Sequence, residues 1–134
     1  MIPPLGNSGY LPPGVHPATL AEVEERFGGA SELRRVQMES VRWMIDLAKR
    51  AGVQRIILNG SFVTDIIEPN DVDCVVLMSS RKLLDAKAFR ELRAGLPFMD
   101  LAIVRSIKRF DEYVNGIFAT DRSGMHKGMI EVTT

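Results

Sequence analysis

The chain has 134 residues, 46% of them hydrophobic, with 17 basic and 17 acidic side chains and hence a net charge of zero. That length supports one domain with a real core, and the charge balance removes the usual electrostatic argument for nonspecific nucleic-acid binding. No apolar run approaches the roughly 18–20 residues of a membrane-spanning helix, nothing at the N-terminus reads as a secretory signal, and the one cysteine, Cys74, cannot form an internal disulfide, so a reduced cytoplasmic setting is expected.

Residues 1–17 hold five of the seven prolines and three glycines, which predicts an extended arm preceding a single domain over 18–134. Thr19 and Glu22 form a capping box that opens a short helix, stopped by Gly28-Gly29. Ser31 caps a longer helix to about Ala51, with Gly52 closing it. Along it Leu33, Val36, Val41, Met44, Ile45 and Ala48 fall near one side and are expected to pack on a sheet, with Trp43 at the margin. Strands follow at 54–59, 71–78 and 98–104, the first ending in a Gly60-Ser61 turn and one helical turn from Phe62 to Ile66. Pro69-Asn70 turns into the second strand. Ser79 or Ser80 is the expected cap of a helix to Ala94, ended by Gly95 and Pro97. A short helix at 108–115, a turn at 121–124 and a last strand at 125–132 complete an α/β (α+β) pattern, a mixed sheet with helices packed mainly on one side.

The chemistry-bearing residues lie at the strand ends. Asp71 and Asp73 flank Val72 at the front of an apolar run, and nine residues separate Ser61 from Asp71. Side chains alternate along a strand, so both acids point the same way. Two carboxylates that close repel each other, and a cation between their oxygens removes the penalty. Asp100, flanked by Met99 and Leu101, offers a third carboxylate from another strand. A buried unpaired carboxylate is costly, so this acid needs a metal or an arginine such as Arg105.

In this order, Gly60-Ser61, Asp71-Val72-Asp73 and Met99-Asp100-Leu101 resemble the nucleotidyltransferase superfamily with its polymerase-β-like palm. The acids open their strand, whereas many metal-binding acid pairs follow one. The stretch Gly60 to Asp65 and the ending Asp121-Arg122-Ser123-Gly124 with Lys127-Gly128 resemble a short bacterial branch of that superfamily. The resemblance implies transfer of an NMP unit from an NTP, ATP foremost, to a protein, RNA or small hydroxylated acceptor. It implies that Asp71 and Asp73 bridge two Mg²⁺ (or Mn²⁺) ions and that Asp100 completes the one on the acceptor side. Gly60 then admits the triphosphate close to the backbone, Ser61 meets its β,γ-phosphates, and Thr64 is a further phosphate contact. Minimal members are often halves of toxin–antitoxin or phage-defence pairs, which implies a partner protein or self-association.

Blander assignments compete at each position. An acid pair on a strand is commonly a solvated face, and Gly-Ser is commonly a plain turn. Thr64 by default orders its loop through a hydrogen bond. Asp65, Glu68, His16 and His126 read as surface residues, Arg122 and Lys127 as either phosphate-reaching or solvated, and Arg105, Lys108 and Arg109 as ordinary surface charge. Cys74 faces away from the acids as a core filler. Two other functions remain: a non-catalytic nucleotide- or metal-binding module, antitoxin-like, and a metal-dependent nuclease, in which Gly60-Ser61 has no role. Phe62-Val63-Thr64 replaces the small or basic residues often found after Gly-Ser in minimal transferases.

Overall fold

A computed structural model describes residues 1–78 and 84–133. Among these residues five strands and four helices follow in the order β1 (Gly14–Thr19), α1 (Leu20–Phe27), α2 (Glu32–Ala51), β2 (Arg55–Asn59), β3 (Val72–Leu77), α3 (Ala86–Ala94), β4 (Met99–Val104), α4 (Ile107–Glu112) and β5 (Gly128–Thr133). A 3₁₀ turn, Ser61–Val63, follows β2, and a π turn, Tyr113–Ile117, extends α4. The strands form one mixed sheet in the order β1-β5-β2-β3-β4. β1 runs parallel to β5 and β3 parallel to β4, while β2 is antiparallel to both its neighbours. Among the described residues no helix is long and apolar enough to cross a membrane.

The central strands read as unbroken apolar runs because both faces are covered. α1, α2 and α3 pack on one face, over Leu58, Cys74, Val76 and Ile130. On the other face α4 and the π turn cover part of the sheet, over Ile57, Val75, Leu77 and Met129. Helices therefore sit mainly, but not solely, on one side. The capping box at Thr19–Glu22 forms as the sequence implies, and Ser31 and a left-handed Gly52 bound α2.

Residues 1–17 are part of the domain rather than an arm in front of it. Ile2 and Leu11 are buried in the core, and residues from Gly14 pair with β5 as strand β1. β1 is a sheet edge, where Pro17 deprives the ladder of no necessary donor. The expected cap at Ser79 or Ser80 lies outside the described residues; α3 as described begins at Ala86, with the Asp85 side chain accepting from the Ala88 amide. The buried stripe of α2 also departs from expectation. Val36 is exposed, and Arg34 and Gln37 point inward instead. Both serve the loop that joins β2 to β3. The Gln37 side-chain amide donates to the carbonyls of Pro69 and Asn70 and so fixes the turn that launches Asp71.

A candidate acidic site at the strand ends

Antiparallel pairing sets Asn59 opposite Asp73, and parallel pairing sets Asp73 opposite Asp100. Paired residues share a face, so the three polar side chains form a row across β2, β3 and β4 on the face that carries α4. Strands are roughly 4.8 Å apart, within reach of two carboxylates holding one ion. Asp71, two residues before Asp73, and Ser61, at the end of β2, join Asp73 and Asp100 in lining a cleft of about 520 Å³. A second cavity of about 420 Å³ shares Asp73, Asp100 and Arg122 with it and continues under the π turn to Tyr113, Ile117 and Phe118.

Gly60 is required by its neighbour across the ladder. A Cβ there would lie 2.4 Å from Asp73 Oδ2, and the residue has φ 81° and ψ −165°, a region essentially restricted to glycine. Burial pushes the Asp73 carboxyl above the usual range, with Asp100 and Asp71 adding to the rise and Lys127 opposing it. None of these three carboxylates has an ion-pair partner among the described residues. Asp100 is exposed rather than buried, so solvent meets its charge and no partner is required; Arg105 supplies none, since it follows β4 on the opposite face and stacks on Phe89. The donor set is all oxygen and acidic, offset in part by Lys127 beside Asp73, and suits a hard cation such as Mg²⁺. The acids are not drawn into a finished cage, however. Among the described residues no group of three or more His, Cys, Asp and Glu side chains stands ready to hold a metal ion.

Ser61 lines the cleft while its hydroxyl accepts from the Asn70 amide at 3.0 Å, closing the loop between the motif halves. Thr64 does not reach the cleft. It is buried, its hydroxyl donates to the Ser61 carbonyl at 2.7 Å and accepts from the Ile66 amide, and its role is to shape the loop. Asp65 and Glu68 are exposed, and Cys74 is buried on the far face with its thiol pushed up by desolvation. Arg109 pairs with Glu112 and stacks on Tyr113 rather than rimming the acids.

Two cations do face the site. Lys127 Nζ donates to Asn59 Oδ1 at 2.9 Å, and its pKa is lowered by burial despite the attraction of Asp73 and Asp121. Arg122 lines both cavities and has no ion-pair partner among the described residues. Tyr10, Asn59 and the aromatic wall were not legible from the sequence; only the position of Asn59 directly before Gly60 hinted at its place. Tyr10 comes from the N-terminal segment, and its hydroxyl donates to Asp121 Oδ2 at 2.7 Å.

Asp121 organises the loop before β5. Hydrogen bonds from Ser123, Tyr10 and the Met125 amide push its carboxyl down to about 2. A lowered folded-state value means that this group adds stability above the ordinary 3.8 and loses it as pH falls through about 2. Chemical denaturation across that window is therefore expected to show a shallower acid loss of stability in Asp121→Asn than in the parent chain; parallel curves would refute the assignment.

Fold and site thus define a mixed α/β domain with an acidic cleft at the ends of β2, β3 and β4. The chain belongs to DUF6932, a family described as of unknown function, which matches residues 3–133. No curated protein and no solved structure matches it.

Proposed function

We propose that the protein is a small divalent-cation-dependent nucleotidyltransferase with a polymerase-β-like palm. One observation carries this: Asp73 and Asp100 stand in register on adjacent parallel strands, with Asp73 closed over the side-chain-free Gly60. Bound Mg²⁺ or Mn²⁺ supplies charge neutralisation for the reacting phosphate and its leaving oxygen. The chain's own residues do the positioning. Asp71, Asp73 and Asp100 would hold the cations; Lys127, held on Asn59 of β2, and Arg122, which lines the same cavities, would take the triphosphate. The Ser61 hydroxyl, already an acceptor from Asn70, keeps its proton free to donate to a phosphate oxygen. Asp100, on the outermost of the three strands, would receive the acceptor and its proton. The reading includes an NTP substrate, ATP foremost, a cytoplasmic setting and a partner protein of the toxin–antitoxin or defence kind.

The test is incubation with labelled NTPs, Mg²⁺ or Mn²⁺ and lysate. Label transfer or pyrophosphate release is expected in the parent chain and at background in Asp71→Ala and Asp73→Ala. A second reading, a non-catalytic nucleotide- or metal-binding module, is favoured by the open spacing of the carboxylates. It predicts NTP binding without pyrophosphate release on any acceptor. Binding is separable from turnover: Mn²⁺ should raise the melting temperature of the parent chain, by mass action on the folded state, and leave Asp73→Asn unmoved.

A further inference from the structure

The geometry points to the outer edge of β4 as the seat of an extended acidic polypeptide segment, the acceptor class for the transfer proposed above. The inference rests on that reading for the word acceptor; the docking itself does not.

Three observations converge on this edge. First, phosphoryl-type displacement places the attacking and leaving groups roughly in line. With the triphosphate on the β2 side of Asp73, at Lys127 on Asn59, the attacking group comes from the opposite side, across Asp100 and β4. Second, β4 is a sheet edge. It pairs only with β3 among the described residues, through bonds such as Val72 N–H to Phe98 O at 2.7 Å and Met78 N–H to Val104 O at 2.8 Å. By the alternation of a parallel ladder, the backbone groups of Leu101 and Ile103 and the Met99 carbonyl then face outward, open to another strand, whereas the Met99 N–H already donates to the Leu96 carbonyl at 3.3 Å. Among the described residues β4 has no proline and no bulge, two usual devices against unwanted pairing, and its one charged side chain, Asp100, faces the acidic cleft.

Third, the face of β4 opposite Asp100 opens into a cavity of about 470 Å³ between the strand and α3. Its walls are Leu101, Ile103 and Phe89, and its charges are Arg93 and Arg105, both exposed. Neither arginine has a carboxylate partner among the described residues. A guanidinium fork is matched by a carboxylate, and two of them beside an apolar floor select an acidic side chain with an aliphatic stem.

An added strand alternates its side chains between the two faces. A residue beside Asp100 presents its side chain to the acidic cleft. Residues at odd offsets from it, beside Leu101 and Ile103, drop theirs into the arginine cavity. The segment recognised is therefore a hydroxyl residue with Glu or Asp at odd offsets on one side. β1, the other sheet edge, is separated from Asp73 by β5 and β2 and cannot serve.

The test uses the full chain and short fluorescent peptides with a central tyrosine or serine. One set carries glutamates at the odd offsets, a second carries lysines there, and a third is the glutamate peptide N-methylated on alternate backbone nitrogens. Anisotropy is expected to show binding of the glutamate peptide alone, weakened by about tenfold or more in Arg93→Glu/Arg105→Glu, and more weakly at high salt. Both arginines are exposed and give up only surface contacts, Arg105 on Phe89 and Arg93 in the last turn of α3, so the variant should remain folded at the assay temperature, as its melting temperature checks. With ATP labelled in its α-phosphate and Mg²⁺, the peptide hydroxyl oxygen bonds to the α-phosphorus as the bond to pyrophosphate breaks, and the bound peptide carries the labelled AMP. Equal binding of the lysine or N-methylated peptide, no binding at all, or an unmoved affinity in the double variant overturns the docking site. Label transfer to a lysate acceptor that is equally fast in the double variant overturns this inference while leaving the transferase standing. Charge-selective binding with no transfer to any acceptor keeps the docking site and removes the transferase.

Discussion

Replacing Arg34 by methionine is expected to cost about 3–5 kcal/mol of folding stability, the largest single-residue loss outside the apolar core. Arg34 is 2% exposed and lies on α2 facing the loop after β2. Its guanidinium donates to the carbonyls of Phe27, Ser61, Phe62, Thr64 and Ile66, the last through both Nε and Nη2, at distances from 2.6 to 3.4 Å. It also stacks on Phe62, with 5.5 Å to the ring centroid. A buried charge usually needs an opposite charge; here converging carbonyl dipoles surround it and the Asp65 carboxylate adds attraction from the loop. Removing the fork leaves several loop carbonyls without donors, each costing about 1–3 kcal/mol where water cannot replace it. Lysine keeps the charge but is one point donor with three hydrogens, so Arg34→Lys should recover only part of the loss. Chemical denaturation gives the energies, and hydrogen exchange over residues 61–66 should rise first. A methionine variant as stable as the parent would mean that water solvates those carbonyls and that Arg34 does not order the loop.

How much of this was written in the sequence depends on the range of the interactions involved. Gly60, Asp71 and Asp73 were legible because strand alternation and a short connection determine their relation locally. Asp100 was legible as an acid within an apolar strand, but its register with Asp73 comes from parallel pairing across α3, which spacing alone does not set. Thr64 was open to both readings, since a hydroxyl beside a Gly-Ser turn serves as a ligand or as a loop brace; its burial and hydrogen bonds favour the brace, the default for such a residue. Arg34 and Gln37 escaped a count of apolar residues on α2: their value lies in backbone carbonyls of the loop between β2 and β3, some thirty positions away. The prolines of residues 1–17 signalled chain that is not helical, which runs through a turn at 6–10 before it extends as β1 from Gly14. What they could not signal was that β5 would provide a pairing strand and that Leu11 would find the core. Lys127 and Arg122 were visible as charges, and only the sheet order brings them beside Asp73.

Gly60→Ala is expected to lose about 2–4 kcal/mol of stability and, with it, the placement of Asp73. Two separate costs add. The backbone at φ 81° and ψ −165° strains any residue with a Cβ by about 1–3 kcal/mol. The new methyl would also lie 2.4 Å from Asp73 Oδ2 and 3.0 Å from its Cγ. Asp73 has a short side chain on a strand paired on both sides, so it escapes only by rotating its carboxylate out of the row with Asp100. The two costs come apart in a double-mutant cycle. In an Asp73→Ala background the methyl has no carboxylate to meet, so Gly60→Ala should cost only the backbone strain there, and the coupling between the two sites measures the contact. A coupling near zero would place the whole effect in the backbone and remove the argument that Gly60 exists to seat Asp73. Under the transferase reading, Gly60→Ala should also bring label transfer down to the level of Asp73→Ala even at temperatures where it remains folded, because the carboxylate is present but points away from the cleft.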